Sequence, residues 1–142
     1  MKKYRKGYTT GVYDMFHIGH LNVLNNAKKH CDYLLVGVST DELVLDYKNK
    51  KPIIPFNERK QIVENIKCVD EVVGQENMNK LLALLKYGCD VVFVGDDWKG
   101  TEKWNKYEEE FNEHGIDVVY LPYTKGTSST TLRAVLDKVL GE

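Results

Sequence analysis

A chain of 142 residues is long enough to bury one sizeable core and carry one active site. With 42% hydrophobic residues, 29% charged residues and a formal net charge of -1, it reads as a soluble globular protein. Its lysines are scattered among nearly as many acids, which leaves no basic footprint for a nucleic acid. The N-terminus MKKYRKGYTT is basic but lacks the apolar segment of a secretory signal, and no run approaches membrane-spanning length. A cytoplasmic protein with no membrane partner is expected. Cys31, Cys68 and Cys89 are far apart and odd in number, so they predict buried hydrophobes rather than a disulfide framework or a zinc knuckle.

The first predicted strand is Tyr8 to Val12. A turn bearing Asp14 and His17 follows, and then a helix from His20 to Cys31 with Leu21, Leu24 and Ala27 on one face. Tyr33 to Val38 is a continuous apolar run, the mark of a strand covered on both sides. Ser39 and Glu42 form a capping-box pattern for a short helix that ends in DYKNKKPIIP. Asn57 can cap a helix reaching Lys67, and Glu71 to Val73 is a third strand. MNKLLALLKYG predicts a helix closed by Gly88, and DVVFVG a fourth strand ending at Gly95. After the loop DDWKGTEKW come a charged helix from Thr101 to His114, a fifth strand from Asp117 to Leu121, and the hydroxyl-rich YTKGTSSTT. The last helix repeats Leu132, Val135, Leu136 and Val139 at helical spacing. Strands alternating with helices imply an α/β, doubly wound (Rossmann-like) five-stranded parallel sheet with helices on both faces. Ligands are then expected at the carboxyl ends of the strands. The loops after strands one, four and five open on that edge.

The segment YTTGVYDMFHIGH concentrates the chemistry. A helix N-terminus favours an anion, Gly19 lets backbone approach it, and His17 and His20 can both donate to one phosphate. Such donors stabilise charge that grows during attack at phosphorus. No metal site is expected, because HExxH is absent and neither His30 nor His114 is placed as a third ligand. A dinucleotide-binding dehydrogenase is disfavoured by the lack of GxGxxG after the first strand.

TGVYDMFHIGH, DYLLVGVSTDE, ERKQIVENIKCVDEVV, VGDDWKG and KGTSSTT, in this order, resemble the cytidylyltransferase family of the HxGH nucleotidyltransferases, and GDDW narrows the likeness to the glycerol-phosphate branch. The resemblance covers nearly the whole chain, read as a single domain over residues 1–142. It implies transfer of CMP from CTP, with Mg²⁺, to a small phosphorylated alcohol, glycerol 3-phosphate being the first candidate. Pyrophosphate is released, and the CDP-activated product feeds wall, capsule or lipid assembly.

The resemblance also implies roles for residues. His17, His20, Lys48 and Lys50 would be catalytic. Thr10, Gly11, Val12, Tyr13 (where the family usually has Phe), Gly19, Asp97, Trp98, Lys125, Gly126, Ser128, Ser129 and Thr130 would bind the nucleotide. Asp97 would accept from the cytosine amino group and Trp98 would supply an apolar wall, whereas Trp104 reads as packing. Asp14, Arg59 and Lys67 would bind the acceptor, Arg59 near a subunit interface of an expected homodimer. Tyr123 stands where the family has a phosphate-gripping arginine, and Lys125 where it has glutamate; a lysine restores charge but not a bidentate fork. The alternatives are an ATP-dependent adenylyltransferase of the same superfamily and a non-catalytic nucleotide-binding module.

Overall fold

The computed structural model describes residues 4–122 and 128–141. Its elements are β1 (Tyr4–Gly11), α1 (Ile18–Lys28), β2 (Cys31–Ser39), α2 (Asp41–Lys48), α3 (Phe56–Glu64), β3 (Glu71–Gln75), α4 (Lys80–Tyr87), β4 (Val91–Gly95), a 3₁₀ turn (Asp96–Trp98), α5 (Glu102–Glu113), β5 (Asp117–Leu121) and α6 (Ser129–Leu140). The strands form one parallel sheet in the order β3-β2-β1-β4-β5. The order reverses between β1 and β4, which opens a crevice at their carboxyl ends.

Alternation along the strands feeds two cores. Leu34, Val36, Val38, Val91 and Phe93 pack with Leu24 and Ala27 of α1 and Val63 of α3 on one face. Tyr8, Leu35 and Val92 pack with Leu84 of α4 and Trp104 and Phe111 of α5 on the other. The expected helices on both faces are therefore present, and Trp104 is core. Cys31 and Cys89 are buried as expected, and Cys68 is half-buried.

Several boundaries differ from expectation for local reasons. β1 starts at Tyr4, ahead of Tyr8, because Asp90 accepts from the Arg5 and Lys6 amides and so anchors a polar lead-in beside β4. Thr40, and not Ser39, caps α2 by accepting from the Leu43 amide; Ser39 is the buried last residue of β2. Pro55 precedes the first turn of α3, which has no side-chain cap, so Asn57 lies inside the helix. That helix also stops at Glu64, short of Lys67. α4 does end at Gly88, whose φ is 67°. The apolar repeat of α6 does form a helix, but beyond Arg133 its side chains are exposed, Val139 by 62%.

Candidate active site

α1 begins earlier than its first apolar residues suggest, because His17 and His20 cap it together. The Gly19 amide donates to His17 Nδ1 at 3.0 Å, and the His17 amide donates to His20 Nδ1 at 3.2 Å. This is the capping box with imidazoles in place of Ser/Thr and Glu/Gln. It has a chemical consequence. A neutral imidazole whose Nδ1 accepts must carry its proton on Nε2, so each ring is fixed as an Nε2–H donor. The rings lie 4.0 Å apart, and Tyr13 and Phe16 wall in His20 at 5.4 and 5.2 Å. Burial, reinforced by the His17 imidazole and opposed by Asp14, lowers His20 to about 4; burial also lowers His17. Two uncharged, oriented donors therefore stand at the end of β1 near neutral pH.

The turn between β1 and α1 is held in an unusual shape. Tyr13 and Met15 have φ of 55° and 49°, in the left-handed region that non-glycine residues rarely occupy. The Tyr13 ring folds back into the core against Gly11, where a Cβ would lie 3.0 Å from ring carbons. Burial raises the Tyr13 phenol well above its ordinary range, with a hydrogen bond from the Thr9 side chain opposing. Between the two strained residues, the buried Asp14 carboxylate accepts from the Ile53 and Ile54 amides at 2.8 and 2.9 Å. The Asp14 carbonyl accepts from Ser129 Oγ at the start of α6. The first turn, the loop after α2 and the last helix thus meet at one residue.

The model of the Cytidylyltransferase-like family matches residues 8–135, which include this junction. The chain belongs to that family. Glycerol-3-phosphate cytidylyltransferases of Bacillus spizizenii and Staphylococcus aureus are similar to this family member at 39% and 35% identity, over 91% and 90% of its length and 95% and 92% of theirs. Among solved structures, a lipopolysaccharide core biosynthesis protein from Thermoplasma volcanium superposes with a TM-score of 0.71 at 27% identity, over 87% of this chain and 99% of that one. A pantoate-beta-alanine ligase from Francisella tularensis, at 13% identity and a TM-score of 0.65 over 100% of this chain and 72% of the other, shares the fold alone.

In this cytidylyltransferase-like chain the three residues expected to bind the acceptor have different surroundings. Arg59 is internal: its side chain is 0% exposed, and it donates to the carbonyls of Ile54, Val12 and Ser39 and to the Asp41 carboxylate, all at 2.7 to 2.8 Å. Those bonds occupy most of the guanidinium's donors, so it braces the loops around the crevice. Asp14 is likewise engaged by two amides. Lys67 lies in the exposed turn before β3, at the amino end of the sheet and away from the crevice. Tyr13, expected to bind the nucleotide, contributes its ring to the core.

Other expected residues do gather at the carboxyl edge. Thr10 and Gly11 close β1, Val12 follows it, and the Gly19 amide donates to the capping His17. Ser128 caps α6 by accepting from the Thr131 amide at 3.0 Å, while Thr130 is exposed in the same turn. Asp97 folds its carboxylate back over Gly95, and Trp98 stays 46% exposed beside β5. Lys48 and Lys50 are exposed; Lys48 Nζ sits 5.7 Å from the Tyr47 ring. Lys125 and Gly126, with Tyr123, lie outside the described residues. Asp41, which holds Arg59, was missed because it reads as a first-turn helix acid. Arg133 was missed because its partner, the Lys51 carbonyl, carries no sequence signal.

The capping histidines give the fold a pH dependence. An unfolded histidine titrates near 6.5, and His20 in the fold near 4. Between those values the unfolded chain binds a proton that the folded chain refuses, so stability falls as pH drops through that window. The melting temperature of the unliganded protein should therefore decline from pH 7 to pH 5. The decline should be shallower in His20→Gln, since glutamine serves the same capping position without titrating. Equal slopes in the two proteins would refute this origin.

Proposed function

We propose that this family member is a CTP-dependent cytidylyltransferase acting on a small polyol phosphate, glycerol 3-phosphate first. The observation that carries the reading is the reciprocal His17–His20 cap, which leaves two neutral Nε2–H donors beside the start of α6. The names of the relatives supply the substrate class.

In this reading an acceptor phosphate oxygen attacks the α-phosphorus of CTP. The new P–O bond forms as the bond to the β-phosphate bridging oxygen breaks, and pyrophosphate leaves. The acceptor is already ionised near neutrality, so no general base is required; the protein must instead offset repulsion between two anions. His17 and His20 donate to oxygens on the phosphorus under attack, and Lys48 and Lys50 supply positive charge. Ser128 to Thr130 bring the helix start, and Asp97 with Trp98 flank the nucleoside. Among the described residues no cluster of three His, Cys, Asp or Glu side chains could hold a metal. In this reading Mg²⁺ would be held by the triphosphate oxygens, its usual partners, and would offset their charge.

Among the described residues no helix is long and apolar enough to cross a membrane. The reading places the enzyme in the cytoplasm as one domain and a homodimer. A pyrophosphate-release assay of CTP and ATP against a panel of small phosphates tests it. Turnover with CTP and glycerol 3-phosphate is expected. Preference for ATP would make the protein an adenylyltransferase, and no turnover with any pair would favour a binding module.

A further inference from the structure

We propose that Arg133 is a positioning residue that tethers the lysine-bearing loop after α2 so that Lys50 faces the substrate phosphates. The inference rests on the cytidylyltransferase reading for the role of Lys50, but the tether itself is a matter of geometry. Arg133 Nη1 donates to the Lys51 carbonyl at 2.7 Å. Lys51 precedes Pro52, which restricts its backbone to extended conformations and so fixes where that carbonyl points. Two residues further on, the Ile53 and Ile54 amides are held by Asp14, whose own carbonyl takes the Ser129 hydroxyl. Ser129 lies about one helical turn before Arg133 on α6. The contacts therefore close a circuit from Asp14 through Ser129, Arg133, Lys51 and the two isoleucine amides back to Asp14. Lys50, next to the tethered carbonyl, takes its placement from that circuit.

A second observation argues that Arg133 is not there for stability. Its Nε is buried and makes no hydrogen bond. An unpaired buried donor is a cost that an apolar side chain of similar length would remove. Arg133→Met should therefore fold as well as the natural chain while releasing the loop.

Limited trypsin digestion reads the tether without reference to activity. Lys48 and Lys50 are exposed cleavage positions, and the Lys51–Pro52 bond resists trypsin. Cleavage after Lys48 and Lys50 in Arg133→Met should quicken about tenfold, the scale of one lost charge-assisted hydrogen bond, with an unchanged melting temperature. Arg133→Lys, which can donate to the same carbonyl, should restore part of the protection.

Kinetics with CTP and glycerol 3-phosphate then read the positioning. Arg133→Met should lower kcat/KM by about tenfold, and it should lower it no further in a Lys50→Ala background, because both changes remove one effect. Unchanged cleavage would overturn the tether, and losses that multiply in the double variant would overturn its action through Lys50. If the natural chain does not turn over CTP, the proposed function fails, and with it the role of Lys50; the digestion still decides the tether.

Discussion

Replacing His17 by asparagine will leave a stably folded protein whose turnover of CTP has fallen by on the order of a hundredfold or more, the scale of losing one transition-state donor. The choice of asparagine separates the two duties of this residue. Its Nδ1 caps α1 and its Nε2–H is the proposed donor to phosphorus-bound oxygen. Asparagine is among the best N-caps and can accept from the Gly19 amide, but it presents nothing where the outer nitrogen of the imidazole stood. His17→Ala loses both duties, so it should show a similar fall in turnover and, in addition, about 1 kcal/mol of lost stability. Steady-state kinetics and thermal unfolding on the two variants check this together. Turnover in His17→Asn within a few-fold of the natural chain would leave the histidine as a cap alone.

The second large effect is on stability. Arg59→Met should cost about 3–5 kcal/mol, because it leaves the Asp41 carboxylate and three carbonyls without the donor they surround. Methionine fills most of the volume, so the loss isolates the polar bonds from a cavity. The melting temperature should drop by roughly 10 °C or more. An arginine that gripped the acceptor would behave in the opposite way: its loss would raise the KM for the acceptor phosphate and spare the melting temperature. Denaturant unfolding beside acceptor titrations distinguishes the two, and a variant with unchanged stability would return Arg59 to the substrate.

The sheet was legible in the sequence wherever a strand is covered on both sides. The apolar runs of β2 and β4 could be nothing else over so short a length, and the alternation with helices then dictated a doubly wound order. The start of β1 was hidden, since Arg5 and Lys6 read as a charged tail until Asp90, a residue far along the chain, is seen accepting from their amides. The same limitation governed the site. His17, Gly19 and His20 were legible because their chemistry and their local structure coincide in one turn. Asp14 and Arg59 were legible as important, but the loop backbone they hold was not. A charged side chain looks the same in sequence whether it faces a substrate or the backbone of its own loops, and here both are bonded to the backbone.

The junction at Asp14 also sets the order in which the protein can become competent. Its bonds reach 39 and 40 residues along the chain to the isoleucine amides and 115 residues to Ser129. Contacts of that span form late, since the loops they close must be ordered before anything is gained from them. During synthesis the strands and histidine turn emerge first, yet the crevice lacks one of its three sides until α6 has left the ribosome. The bond from α6 thus acts as a late clasp on a site begun near the first residues.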